Sequence, residues 1–120
     1  DGLIVKTEDN KLLNSTWTSN SRHVKHWVEI SLDKPIEVRK IILWWPLENS
    51  TWVTSRKIKI ELFKNGRWTN SKEFKLRNNF CFTVHEISAQ GIKRIRIIQE
   101  VGLGHPSNPN VMKIDEIEIY

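Results

Sequence analysis

The sequence lacks the features that define several classes of protein. A single cysteine, Cys81, excludes an internal disulfide bond and any zinc site built from several thiolates. The longest apolar run, residues 41–47, is interrupted by Pro46 and is much shorter than the ~18 residues of a membrane span. The 19 basic residues are scattered among acidic ones without forming a block, so we expect no nucleic-acid partner. No Gly-rich phosphate loop, nucleophile elbow or zinc-protease motif is present, and we expect no enzyme activity.

The chain does contain enough apolar surface for one folded domain. Its 120 residues suit a single domain, and six Trp with four Phe provide a core. The net charge of +5 permits attraction to an anionic partner without identifying one. The chain opens with Asp1 and Gly2 rather than Met, so we expect residues 1–120 to be one module excised from a larger protein.

Hydrophobicity alternates with a period of two along most of the chain, and no stretch has a convincing helical period. The pair Asn65-Gly66 predicts a two-residue hairpin, and a change of parity after Ile114 predicts a bend near Asp115. Several short strands separated by turn residues indicate an antiparallel all-β sandwich. The predicted strands are residues 27–32, 38–45, 57–63, 73–76, 80–84, 93–99 and 114–120.

Three connections between these strands are polar, irregular and long enough to carry a binding site. They span residues 19–26, 46–55 and 101–110. Loops on a rigid sandwich often position binding groups, and imidazole or amide groups there can bond to hydroxyls. The candidate ligand-binding residues in these connections and at their borders are His23, Trp45, Glu48, Asn49, Trp52, Arg56, His105 and Asn108.

Two tryptophans near the second connection are candidates for contact with a sugar. Pyranose rings present apolar C–H faces that stack on aromatic rings, while their hydroxyls need polar groups at the rim. Trp45 or Trp52 would supply the ring. The polar rim would come from Glu48, Asn49 and Arg56. The alternative interpretation of Trp52 is a lid folded back over the end of the sandwich.

Several segments, taken in their order and spacing, resemble one known family. They are residues 14–19 (NSTWTS), 26–38 (HWVEISLDKPIEV), 41–44 (IILW), 57–62 (KIKIEL), 65–68 (NGRW), 94–97 (RIRI) and 114–120 (IDEIEIY). Together they resemble the discoidin, or factor V/VIII C-type, domain over residues 12–120. Within that family the chain looks most like the family-32 carbohydrate-binding modules.

This resemblance implies a galactose-binding-like jelly-roll sandwich that acts as a non-catalytic carbohydrate-binding module. Many bacterial members are appended to glycoside hydrolases or sialidases and bind sugars at the loop end of the sandwich. We therefore expect an extracellular or cell-surface module, monomeric within a multidomain chain, that targets its parent protein to a mono- or oligosaccharide. The resemblance also implies a structural calcium ion, with Asn14 and Glu116 at the positions of its ligands.

Two other functions fit members of the same family. A binder of anionic phospholipid membranes would insert Trp45, Leu47 and Trp52 as an apolar tip, and salt would weaken its binding steeply. A protein-docking module of a multisubunit complex would suit the free thiol of Cys81. Both alternatives stay open at the level of the sequence.

Overall fold

A computed structural model describes residues 16–69, 71–77 and 80–120, together with the backbone of residues 2–6. These residues form eleven strands, and among them no helix is long and apolar enough to cross a membrane. The prediction of an all-β fold is confirmed. In chain order the strands are β1 (Gly2–Lys6), β2 (Trp17–Thr18), β3 (His26–Trp44), β4 (Leu47–Glu48), β5 (Thr51–Trp52), β6 (Lys57–Lys64), β7 (Arg67–Trp68), β8 (Lys72–Lys75), β9 (Phe82–Gln99), β10 (Lys113–Ile114) and β11 (Glu116–Ile119).

The longest strands, β3 and β9, pair with each other and fold back on themselves. A straight strand of 18 residues, such as β9, would extend about 56 Å. The two ends of β9 nevertheless lie beside two neighbouring residues of the chain. Thr54 Oγ1 donates to the Phe80 carbonyl just before β9 (2.9 Å), and Ser55 Oγ donates to Gln99 Oε1 at its end (2.5 Å). The β3–β9 pair therefore reverses direction near its middle.

The reversal lies where the pairing of β3 with β9 changes register, between Ser31 and Lys40 of β3. On β9, Ser88 (φ 57°) and Gly91 (φ 70°) adopt the left-handed conformation that a sharp change of direction requires. The strand assignment continues through the bend in both chains. The bend therefore merges four predicted strands into two: residues 27–32 with 38–45, and 80–84 with 93–99.

The bend divides the sheet into two layers. One layer holds the first part of β3 and the last part of β9, extended by β6, β7 and β8 on one side and by the parallel strand β1 on the other. The second layer holds the remaining parts of β3 and β9, with β11 antiparallel to β3. Between the layers lies one core, formed by Val28, Ile30, Leu32, Val38, Ile41, Leu43, Trp45, Ile58, Ile60, Leu62, Ile92, Ile95, Ile97, Met112, Ile114, Ile117 and Ile119.

Local predictions agree with this arrangement. Alternate residues of β3 and β6 face the core, as their period of two predicts. Asn65 (φ 52°) and Gly66 (φ 77°) form the predicted hairpin turn between β6 and β7. Asp115 separates β10 from β11, which is where the parity of Ile114 predicts a bend.

A charged and aromatic ladder covers the outer face of the first layer. Glu29, Arg96 and Glu61 lie opposite one another on β3, β9 and β6. Arg96 bonds to Glu29 (2.8 Å), and its guanidinium lies 4.1 Å from the ring centroid of Trp68 and 5.4 Å from that of Trp27. These two tryptophans therefore pack against Arg96 on the outer face of the first layer and do not belong to a site at the loops.

A partly buried chain of hydrogen bonds links the second layer to the residue that follows β3. Trp45 Nε1 donates to Thr83 Oγ1 (3.0 Å), and that hydroxyl lies 2.8 Å from His85 Nε2. Because the indole N–H uses the hydroxyl oxygen as acceptor, the hydroxyl proton is free to point at His85, which then accepts as a neutral imidazole. Burial disfavours the imidazolium and lowers the pKa of His85 to about 4.

We predict that folding stability falls as the pH is lowered from 6.5 to 4. In that interval the unfolded chain takes up a proton on His85 and the folded chain does not, so stability rises with pH, by about 3 kcal/mol over the whole interval. Denaturant unfolding of the wild type and His85→Gln at pH 7 and pH 4 measures the effect. The variant should lose less stability on acidification than the wild type, and an equal loss in both chains would contradict the assignment.

Candidate functional site

The reversal of β3 and β9 places the three polar connections at one end of the sandwich. Backbone hydrogen bonds then join the connections and their borders to each other. The Ser19 amide donates to the Met112 carbonyl (2.9 Å), and the Arg56 amide donates to the Leu103 carbonyl (2.9 Å). Segments that are far apart in the chain thus form one continuous surface.

The second connection is a tight hairpin rather than an irregular loop. β4 and β5 pair with Leu47 opposite Trp52, and the turn between them has positive φ angles at Asn49 (50°) and Ser50 (62°). Two such angles in succession define the two-residue turn that matches the twist of a hairpin. The role of Asn49 in the structure is therefore to form this turn.

The hairpin has two faces, because successive side chains of a strand point in opposite directions. Leu47 and Trp52 are cross-strand partners on one face. Glu48 lies on the other face, together with Val53, whose amide extends the pairing to the Pro46 carbonyl (2.9 Å). Only the face with Glu48 and Val53 borders the groove described next.

A shallow groove lies between this hairpin and the third connection. It encloses about 20 Å³, which is room for about one water molecule, so a larger ligand would lie across the groove rather than inside it. Its walls carry both signs of charge, an imidazole, an amide, a hydroxyl and two small apolar side chains. The lining residues are Glu48, Val53, His105, Ser107, Asn108, Val111 and Lys113.

The hydrogen bonds around His105 determine which of its ring nitrogens can form a hydrogen bond with a ligand. Nδ1 accepts from the Ser107 amide (3.1 Å) and lies 2.7 Å from Ser107 Oγ. An amide donor requires an unprotonated acceptor, so the proton of the neutral ring is on Nε2. His105 thus offers one N–H donor to the groove.

A pair of opposite charges spans the groove. Lys113 Nζ lies 2.5 Å from Glu48 Oε2, and the two side chains are partly exposed, at 22% and 42%. Each group uses only part of its hydrogen-bonding capacity in this contact, since a carboxylate accepts several bonds and an ammonium donates three. The pair can therefore accept from one hydroxyl and donate to another while remaining intact.

Arg56 holds the third connection in place from behind. Its Nε donates to the Gly104 carbonyl (2.8 Å) and its Nη2 to the Gly102 carbonyl (2.5 Å). Gly104 is surrounded by backbone: a Cβ there would lie 2.5 Å from the Val111 carbonyl oxygen. The position of His105 and Asn108 therefore depends on a turn that only glycine allows.

The structure requires one correction to the predicted site. Trp45, predicted as a ring for sugar stacking or membrane insertion, is 1% exposed and has no free face for a ligand. It continues the inward parity of Ile41 and Leu43 one step past the end of β3, and so packs in the core. The prediction that Trp45 contacts a ligand is wrong.

Of the remaining five predicted residues, three line the groove and two lie outside it. The structure brings together Glu48, His105 and Asn108 as walls of the groove. His23, which is exposed, lies 2.7 Å from Asn110 through its Nδ1 and joins the first connection to the third. Trp52 is half-buried on the opposite face of the hairpin, so its stacking on a sugar stays a prediction.

The calcium prediction rests on Asn14 and Glu116. Asn14 lies outside the described residues, and Glu116 is half-buried at the start of β11. Within residues 16–69, 71–77 and 80–120 there is no group of three or more His, Cys, Asp or Glu side chains that could hold a metal ion. The calcium site therefore stays a prediction, and no proposal below depends on it.

Sequence reasoning missed four groove residues: Val53, Ser107, Val111 and Lys113. Two of them, Val53 and Ser107, lie within the predicted connections but are neither aromatic nor ionisable. Lys113 lies between the third connection and a predicted strand. Its pairing with Glu48, 65 residues earlier, has no signal in the local pattern.

Comparisons with known proteins identify the fold. No family model and no curated protein match the sequence. Among solved structures, the C-terminal domain of a chitobiase from Bacteroides fragilis superimposes with a TM-score of 0.71 at 17% identity, covering 89% of this chain and 72% of that one. The family 32 carbohydrate-binding module of NanJ from C. perfringens, in complex with galactose, gives 0.70 at 19% identity, covering 88% and 76%.

A third structure, the F5/8 type C domain of a Bacteroides fragilis protein, gives a TM-score of 0.59 at 19% identity, covering 89% of this chain and 73% of that one. The TM-scores show a shared fold, and at identities this low they show the fold alone. The predicted galactose-binding-like sandwich of the discoidin type is confirmed.

We predict that Gly104→Ala distorts the third connection. The added Cβ would lie 2.5, 2.9 and 3.0 Å from the carbonyl oxygens of Val111, Pro109 and Asn108, so the backbone must move. We expect a loss of about 1–3 kcal/mol in the free energy of unfolding, measured with denaturant. Gly66→Ala is the control: its Cβ meets nothing within 4 Å, and only its positive φ of 77° opposes the change. A smaller loss for Gly104→Ala than for Gly66→Ala would contradict this account.

Proposed function

We propose that this chain is a non-catalytic carbohydrate-binding module and that the groove between the hairpin and the third connection is its sugar site. The observation that carries the proposal is the convergence of Glu48, His105, Asn108 and Lys113 on one groove. These groups come from connections more than 50 residues apart and meet at the loop end. Their side chains supply the acceptors and donors that the hydroxyls of a sugar require.

Each groove residue has a definable part in such recognition. The Glu48 carboxylate accepts from a hydroxyl, and Lys113 donates to the oxygen of a neighbouring one. His105 donates from Nε2, and the exposed amide of Asn108 can do either. Val53 offers an apolar surface to the C–H groups of the ring.

The shallowness of the groove sets the expected affinity. A sugar that lies across it exchanges bonds to water for bonds to protein, and each exchange yields only about 1 kcal/mol. A few such bonds correspond to a dissociation constant near the millimolar range, about 4 kcal/mol. Modules with this affinity act by repeated contact with polymeric or clustered glycans.

The remaining parts of the proposal concern the protein in which the module works. We propose a monomeric, extracellular or cell-surface module that brings a larger protein to its glycan. The support is that the fold is shared with the C-terminal domain of a chitobiase and with a sugar-binding module crystallised with galactose. We propose no catalytic role for the groove, and the support is that the carboxylate in its described lining, Glu48, is paired with Lys113, whereas glycoside hydrolysis uses two carboxylates.

A second candidate function, binding to anionic membranes, is favoured by the opposite face of the hairpin. Leu47 is 54% exposed at the loop end, and its cross-strand partner Trp52 is only half-buried. An apolar pair at a tip, on a chain of net charge +5, is the arrangement that membrane insertion uses. The two candidates thus use the two faces of one hairpin, and variants can separate them.

We predict that Asn108→Ala weakens sugar binding about fivefold, which corresponds to about 1 kcal/mol, because it removes a groove amide while the backbone bonds of residue 108 remain. Trp52→Ala should weaken it less, since that ring lies on the other face of the hairpin. Phe82→Ala, which removes an exposed aromatic ring from the sheet, is the control and should change nothing. A glycan array followed by calorimetry with galactose and galacto-oligosaccharides provides the measurement.

Vesicles of phosphatidylcholine and phosphatidylserine test the second candidate with Asn108→Ala and one further variant, Leu47→Ser. Salt-sensitive binding to the serine-containing vesicles, lost in Leu47→Ser and retained in Asn108→Ala, would favour the membrane function. A glycan array that stays blank for the wild type, together with such vesicle binding, would overturn the sugar site.

A further inference from the structure

A basic depression lies beside the groove, on the other side of the 102–105 turn. Its rim and floor are formed by Arg56, Lys57, Lys75, Leu76, Arg77 and Leu103. It has a volume of about 590 Å³ and is open to solvent, within the range of small-ligand sites. The lining residues that the structure describes include four cations and no acidic residue.

The positive charge of the depression is only partly neutralised. Lys57 Nζ lies 3.1 Å from Glu73, a carboxylate outside the lining whose pKa is lowered by its hydrogen bond to Lys57 and by the lysine charge. Lys75 and Arg77 are exposed and form no ion pair with any described residue. Among the described residues, the side chain of Arg56 bonds to the carbonyl oxygens of Gly104 and Gly102, which leave its charge uncompensated.

The geometry of the depression is fixed by backbone bonds. The Leu76 amide donates to the Arg56 carbonyl (2.8 Å), and the Arg56 amide donates to the Leu103 carbonyl (2.9 Å). Three segments are thereby held together around an apolar floor of two half-buried leucines. A ligand that fits must combine an apolar face with negative charge.

We propose that this depression binds a carboxylated or sulfated sugar residue, so that the module recognises an acidic glycan. The inference rests on the proposed function of the groove and extends it. Arginine pairs with carboxylate or sulfate oxygens through two N–H groups, lysine adds a mobile charge, and Leu76 and Leu103 contact the C–H face of the ring.

The position of the depression favours a glycan over a lipid surface. Arg56 contacts the carbonyl of Gly104, and the next residue, His105, lines the groove. One oligosaccharide can therefore place a neutral residue across the groove and an acidic residue in the depression. A recessed leucine floor also suits a ring that enters it, whereas bilayer insertion uses apolar groups that protrude, such as Leu47.

Calorimetry tests the proposal by measuring binding to oligogalacturonate, to its neutral methyl ester and to carrageenan oligosaccharides. We expect both acidic oligosaccharides to bind about tenfold more tightly than the ester in low salt, and this advantage to shrink as salt rises toward about 1 M. The double variant Lys75→Gln/Arg77→Gln should lose the advantage and leave binding of the ester unchanged. The matched control, Lys34→Gln/Arg67→Gln, removes two exposed cations at other sites and should retain it.

The outcomes separate this proposal from the proposed function. If the ester and the acidic oligosaccharides bind equally, or if both double variants lose affinity equally, the acidic subsite is overturned and the sugar groove stands. If none of the oligosaccharides binds and the wild type is blank on the glycan array, the groove fails and the subsite fails with it. Binding to phosphatidylserine vesicles alone, lost in Lys75→Gln/Arg77→Gln, would assign the depression to lipid headgroups and overturn the proposal.

Discussion

Near Ser88 and Gly91 the β3–β9 pair turns back on itself, and the loop end of the molecule exists because of that reversal. Without it, the connections that flank β3 would lie at opposite ends of a long ribbon. With it, Thr54 and Ser55 contact both ends of β9, and the two halves of the pair enclose a single core. The burial of alternating branched side chains in that core provides the main stabilisation of the reversed form.

The loop end is organised around the 102–105 turn. Arg56 contacts two of its carbonyl groups, and Gly104 allows the backbone of residues 108–111 to approach closely. One side of this turn carries a groove with paired charges, and the other carries a depression with excess positive charge. Under the two proposals, one ligand would contact the groove through its hydroxyls and the depression through its negative charge.

Some features of the structure could be predicted from the sequence and others could not, as individual residues show. The parity of β3 predicted its buried face, and Asn65-Gly66 predicted the hairpin between β6 and β7, because both depend on neighbours within a few residues. Trp45 was predicted to contact a ligand because it borders the connection that begins at Pro46. The inward parity of β3 continues one residue past the strand, however, and Trp45 is buried in the core. The lowered pKa of His85, about 4, likewise could not be predicted from the sequence, because it arises from burial in the assembled core.

The sequence by itself determined the all-β class, most strand positions and the three connections that form the loop end, because alternation and turn chemistry are local properties. The discoidin-like fold was implied by the resemblance of several segments to that family. Only the tertiary structure decided which side chains meet at the loop end. It paired Glu48 with Lys113, turned Trp52 away from the groove, and gathered Arg56, Lys75 and Arg77 around one depression. Such contacts join residues tens of positions apart, and they depend on the direction in which each side chain leaves a folded backbone, which local sequence does not encode.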